Sequence, residues 1–106
     1  MLKIGIIGAS GFIGSRTVEM LCLDGIYDVR PIVRKPASFE RFAGLNLKRS
    51  IADALDQSAL YNAFLGCDVV IHSVIGSPWF IRKTVVSTYQ AAQKANVRRL
   101  VYLHSL

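Results

Sequence analysis

Three features of the 106-residue sequence predict an α/β fold built on a doubly wound parallel sheet. Apolar runs of strand length alternate with helix-length segments, the helices carry start and stop signals, and a glycine-rich turn joins the first strand to the first helix.

Taken in order, residues 2–7 (Leu-Lys-Ile-Gly-Ile-Ile) form the first strand and residues 12–24 the first helix. Residues 27–33 form the second strand, after which Pro36 breaks the chain and residues 38–43 make a short helix. A weak third strand covers 47–51. The next helix runs over 57–65, with Asp56 as N-cap and Gly66 as its stop. Residues 67–74 hold a continuous apolar run, typical of a strand buried on both faces. Ser77 as N-cap and Pro78 in the first turn start a helix that reaches Ala95, and Asn96 ends it. Residues 100–104 close the chain as a fifth strand.

Strands and helices in this rhythm give parallel strands joined by right-handed crossovers, in the expected order 3-2-1-4-5. A ligand then lies beyond the carboxyl ends of strands one and four, where the winding reverses. The loops after Ile7, Val33, Ile51, Val74 and His104 are therefore expected to face one cleft.

The segment Gly8-Ala9-Ser10-Gly11-Phe12-Ile13-Gly14 lies at the mouth of that cleft. Gly8 lets the chain turn out of the strand, Gly11 lets backbone N–H groups approach an anion, and Gly14 lets the helix pack closely on the sheet. The helix start adds unpaired N–H groups and the positive end of its dipole, so the spacing points to a dinucleotide pyrophosphate.

Composition narrows the class further. The length fits one domain, and 52% hydrophobic residues supply a core. No apolar run approaches the roughly 20 residues that span a bilayer, and the start of the chain shows no signal-peptide pattern, so a soluble cytoplasmic protein is expected. Cys22 and Cys67 lack nearby Cys or His partners and are expected to be buried free thiols, with no metal site. Much of the net charge of +6 falls between Arg30 and Arg49, where Arg30, Arg34, Lys35, Arg41, Lys48 and Arg49 face Glu40 alone. Such a patch suits an anion. No nucleic-acid module or interleaved aromatic platform accompanies it, so a phosphorylated small molecule is expected instead of nucleic acid.

Five pieces in order, Gly8-Ala-Ser-Gly-Phe-Ile-Gly14, Val29-Arg-Pro-Ile-Val-Arg34, Ala52-Asp-Ala-Leu-Asp56, Asp68-Val-Val-Ile-His72 and Val97-Arg-Arg-Leu-Val-Tyr-Leu-His-Ser105, resemble the extended and atypical short-chain dehydrogenase/reductases of the NAD-dependent epimerase/dehydratase type. The resemblance covers nearly the whole chain. It implies a Rossmann-type NAD(P)-binding domain, with Gly8, Ser10, Gly11, Phe12, Ile13 and Gly14 around the pyrophosphate. Arg34 lies 20 residues after Gly14, where NAD-preferring relatives resemble one another in carrying Asp. An arginine there favours a 2′-phosphate, so the resemblance implies NADP, with NAD as the alternative and Lys35 as added charge. Asp53, followed by Ala54, matches a carboxylate that meets the adenine amino group, or else is a turn residue. Ser10 either donates to a phosphate or caps the helix. Val74, Ile75 and Gly76 are implied to run beside the ribose and nicotinamide. His72 is expected to be packed and hydrogen-bonded, and Trp79, Phe80 and Ile81 to belong to the core.

Ser105 matches the family hydroxyl that bonds substrate oxygen beside the nicotinamide, within a triad completed by Tyr-x-x-x-Lys. The residues four after Tyr27, Tyr61, Tyr89 and Tyr102 are Pro31, Leu65, Gln93 and Leu106, so that pair is absent. The chain is therefore expected to be inactive alone, as a fragment truncated after strand five of the cofactor half of an oxidoreductase or nucleotide-sugar epimerase/dehydratase. The alternatives are a non-catalytic dinucleotide-sensing module and an interaction domain. An uncovered fifth strand implies a homo-oligomer through that edge.

Overall fold

The computed structural model describes residues 1–103. It holds five parallel strands in one sheet of order β3-β2-β1-β4-β5. The elements are β1 (Leu2–Ile7), α1 (Phe12–Asp24), β2 (Tyr27–Val33), a 3₁₀ segment (Pro36–Phe42), β3 (Ser50–Ile51), α2 (Gln57–Phe64), β4 (Val69–His72), α3 (Pro78–Lys94) and β5 (Arg99–Tyr102). The winding reverses between β1 and β4, as the alternation of elements requires.

The terminators act through local geometry. Gly25 takes a left-handed conformation after α1 and returns its N–H to the Cys22 carbonyl. Asp56 caps α2 by accepting from Ala59 N–H at 3.1 Å, and Ser77 caps α3 by accepting from Phe80 N–H at 3.2 Å. Asn96 adopts φ 58° beyond α3, the left-handed region that asparagine tolerates well among non-glycine residues.

Two elements are shorter than their apolar patterns suggested. β3 pairs with β2 only at Ile32–Ser50 and Val33–Ile51, because Leu47 packs against the core cluster on the α1 side and joins no ladder. The ladder of β4 begins at Val69, leaving Cys67 and Asp68 in the approach from α2 and Ser73 and Val74 in the exit loop. β5 starts one residue earlier than expected, at Arg99, and ends at Tyr102, while His104, the expected end, lies outside the described residues.

The sheet divides the core in two. Ile4, Ile6, Val18, Val29, Val33, Phe39 and Phe42 pack on one face with α1 and the 3₁₀ segment. Ile7, Ile32, Leu60, Phe64, Cys67, Val70, Ala91 and Ala92 pack on the other with α2 and α3. Two layers of helix on one parallel sheet leave only its ends open, and the loops at the carboxyl end build the site.

Candidate dinucleotide site

The turn out of β1 is fixed by contact. Gly8 sits at φ 75°, and a Cβ there would lie 2.8 Å from the Ser73 carbonyl oxygen, so both conformation and space demand glycine. A Cβ at Gly14 would strike the Gly8 carbonyl oxygen and reach within 2.8 Å of the Ser73 hydroxyl. Helix α1 therefore lies as close to the turn as a backbone can.

Gly11 is the N-cap of α1, without a side-chain capping bond, which excludes Ser10 as the cap. The first N–H to find an acceptor within the helix is that of Ser15, 2.8 Å from the Gly11 carbonyl. The N–H groups of Phe12, Ile13 and Gly14 precede it and have no intrahelical acceptor. Together with the helix dipole they form an anion seat.

Four loops meet beside this seat. A cavity of about 220 Å³ is lined by Gly8, Ser10 and Gly11 after β1, Arg34 after β2, Ala52, Asp53 and Ala54 after β3, Val74 and Ile75 after β4, and Phe80 of α3. Asp53 is exposed, and its Oδ1 accepts from Leu55 N–H at 2.9 Å, so it holds the turn after β3 as well as a place in the wall. Arg34 is exposed at the rim, and Lys35 follows it at the start of the 3₁₀ segment.

A second cavity, of about 330 Å³, continues from the first and shares Ser73, Val74 and Ile75 with it. Ile13, Gly76, Ile81 and Leu103 complete its lining. Apart from Ser73, its lining side chains are apolar. A Cβ at Gly76 would meet the Phe80 ring at 2.8 Å, so the loop after β4 is held against the start of α3.

Several expectations change on the structure. Trp79 is 62% exposed and stacks under Lys83 Nζ at 5.1 Å, so it is not core, whereas Phe80 and Ile81 are half-buried and line the cavities. Cys67 is a buried free thiol, raised in pKa by burial, but Cys22 is only half-buried. The basic stretch also divides. Arg30 is buried in β2 and bonds Asp28 at 3.3 Å, and Lys48 lines a hollow with Lys3 and Tyr27 near the amino end of β2. Arg41 reaches the first turns of α1, donating to Ser15 Oγ at 3.2 Å. Phe12 is exposed, with the Arg16 guanidinium 5.0 Å from its ring centre.

His72 is buried, as expected of a packed histidine. Thr84 uses its one hydroxyl proton on the Ile81 carbonyl at 2.8 Å, so the 2.9 Å contact between Thr84 Oγ1 and His72 Nε2 needs the proton on Nε2. Burial pushes the imidazole pKa below its ordinary value, which keeps it neutral. Ser105 lies outside the described residues.

The arrangement has room for an elongated molecule with an anion over the start of α1, one end toward Arg34 and Asp53 and the other toward Ile13 and Leu103. The chain matches a known family over residues 8–106. It belongs to the NAD(P)H-binding family. It is 32% identical to an L-arabinose 1-dehydrogenase (NAD(P)(+)) of Haloferax volcanii, over 96% of this chain and 40% of that protein. An NADPH-dependent quinone oxidoreductase of Escherichia coli, solved with NADPH, superposes with a TM-score of 0.84 at 26% identity, over 93% of this chain and 35% of the other. A nucleoside-diphosphate-sugar epimerase of Pseudomonas aeruginosa gives 0.83 at 28% identity, over 95% and 32%. The chain spans 24% to 40% of the length of the curated relatives it matches.

This chain is thus an NAD(P)-binding domain similar to oxidoreductases and nucleotide-sugar epimerases, and a nicotinamide dinucleotide is its cofactor. Ser73 and Leu103 join the site without having been singled out, and Phe80 and Ile81, expected in the core, line it. For Ser73 a signal was present, since a polar residue at the carboxyl end of a central strand lies where ligands bind. Among the described residues no three His, Cys, Asp or Glu side chains group to hold a metal. No helix among them is long and apolar enough to cross a membrane.

Proposed function

We propose that this chain binds NADP(H) in preference to NAD(H) and forms, as one domain, the cofactor half of an oxidoreductase or nucleotide-sugar epimerase/dehydratase. The supporting observation is the position of Arg34, at the end of β2 in the wall of the same cavity as Gly8, Gly11 and Asp53. A guanidinium there can pair with a 2′-phosphate through charge-assisted hydrogen bonds, which a 2′-hydroxyl cannot match. Lys35 adds positive charge, Ser10 donates to a phosphate, and Asp53 with Ala54 receives the adenine. Phe12, Ile13 and Gly14 offer their N–H groups to the pyrophosphate. Val74, Ile75 and Gly76 flank the ribose and nicotinamide, and Ser105 is the hydroxyl that orients a substrate oxygen.

Bound nicotinamide supplies hydride exchange. The residues of this chain position it, and the apolar wall of Ile13, Ile81 and Leu103 excludes water from one side of that half of the site. A second reading is a dinucleotide-sensing module that binds without turnover, and a longer native sequence lacking Tyr-x-x-x-Lys would support it over the enzyme. The free thiols fit a reducing, cytoplasmic setting. Among the described residues β5 pairs only with β4 and leaves its other edge unpaired, which supports assembly through that edge; a monomeric sedimentation profile at tens of micromolar would count against it.

The test is a fluorescence titration of the purified chain with NADPH and NADH, repeated with Arg34→Asp. The expected result is preference for NADPH and a selective loss of about tenfold to a hundredfold in the variant, the range for a charged hydrogen bond. Equal affinity for both nucleotides in the wild type contradicts the NADP reading.

A further inference from the structure

Ser73 lies where the two halves of the cleft meet, and it touches the glycine turn at three points. Its hydroxyl donates to the Ile7 carbonyl at 2.6 Å, and its backbone N–H donates to the same oxygen at 3.0 Å. Its own carbonyl stands where a Gly8 side chain would begin, 2.8 Å from that position. Its Oγ stands 2.8 Å from where a Gly14 Cβ would be. The side chain is 5% exposed and enters the lining of both cavities.

Ile7 is the last residue of β1, and the chain leaves its strand path one residue later at φ 75°. The direction of that departure sets where the N–H groups of Phe12, Ile13 and Gly14 point. The ladder bond from Ser73 N–H already satisfies the Ile7 carbonyl, so the sheet does not need the hydroxyl. What the second bond adds is a fixed orientation of that carbonyl, and the hydroxyl that makes it is wedged beneath Gly14. We infer that Ser73 is a positioning residue for the dinucleotide pyrophosphate, holding the glycine turn in its binding geometry from the neighbouring strand. The inference rests on the dinucleotide reading of the cleft.

Hence the tight fit at Gly14 has a second cause besides close packing of helix on strand. The glycine admits the Ser73 hydroxyl as well as the Gly8 carbonyl. A preorganised seat binds better because less order is imposed on it when the ligand arrives.

The test compares wild type with Ser73→Ala and Ser73→Cys. NADPH spans the glycine turn, whereas adenosine 2′-monophosphate lacks the pyrophosphate, so both are titrated by NMR, with thermal unfolding followed by circular dichroism. Ser73→Ala is expected to weaken NADPH by roughly tenfold, the scale of one hydrogen bond, and to shift the amide resonances of Gly8, Gly11 and Gly14. Adenosine 2′-monophosphate should weaken far less than NADPH, and the unfolding midpoint should stay within a few degrees. Ser73→Cys, with a weak donor, should fall between. Loss of the fold in Ser73→Ala, equal weakening of both ligands, or unchanged NADPH affinity overturns the role given to Ser73 while leaving the dinucleotide reading intact. Failure of the wild type to bind NADPH overturns both.

Discussion

The two halves of the cleft differ in what holds a ligand. The half toward β2 and β3 offers Arg34, Asp53 and Ser10 around about 220 Å³, whereas the half toward α3 offers Ile13, Gly76, Ile81 and Leu103 around about 330 Å³. The polar half can select by charge and hydrogen bonds. The other half, whose side chains apart from Ser73 are apolar, selects mainly by shape and by excluding water. Between them lies the turn of Gly8–Gly14, whose backbone N–H groups serve both. A substitution at the seat should therefore injure binding as a whole, and one in either half should injure one end of the molecule.

The largest effect is expected at the seat. Gly14→Ala places a methyl group against the Gly8 carbonyl, backbone that cannot rotate away. Binding of NADPH should fall by about a hundredfold or more, and overpacking should cost about 3 kcal/mol in urea unfolding. Unchanged affinity would show that the helix can retreat without cost. The next effect separates the halves. Ile13→Asp puts a charge into the apolar cavity and should weaken NADPH by roughly tenfold, while adenosine 2′-monophosphate, confined to the polar half, binds as before. Parallel losses for the two ligands in calorimetry would erase the distinction.

Much of this contrast was legible in the sequence. The glycine turn, the bounds of β1, α1 and β2, and the caps Asp56 and Ser77 rest on local rules that need no tertiary context. The edges of the sheet were less legible. β3 shrank because an apolar residue, Leu47, found a partner in the core before it found one in a strand, a choice only the folded neighbours decide. The charge patch failed for a similar reason. Arg30 lies in the middle of β2, a strand buried on both faces, and pairs with Asp28, whereas Arg34 lies past the strand's carboxyl end. Ser73 was missed because its importance lies in distances to Ile7, Gly8 and Gly14, none of them near it in sequence.

Smaller effects sharpen the polar half and its flank. Asp53→Ala removes both a wall residue and the acceptor for Leu55 N–H, so NADPH binding should weaken by about fivefold, the scale of one hydrogen bond. No change in affinity would reduce Asp53 to its turn. The smallest effect concerns His72, whose pKa is lowered by burial in the folded chain. Below the ordinary value of 6.5 the unfolded chain takes up a proton that the folded chain refuses, so stability should fall as the pH drops through that region. Above it the contribution is constant. Urea unfolding between pH 5 and pH 8, about the histidine range, should show this slope in wild type and lose it in His72→Gln.

The most direct test of a dinucleotide bound across both halves is an NMR titration of the isotopically labelled chain with NADPH. Shifts are expected at the amides of Gly8, Gly11, Phe12, Ile13 and Gly14, continuing to Arg34 and Asp53 on one side and to Gly76 and Ile81 on the other. Shifts confined to one half, or centred on Lys3 and Lys48 near the amino end of β2, would contradict it.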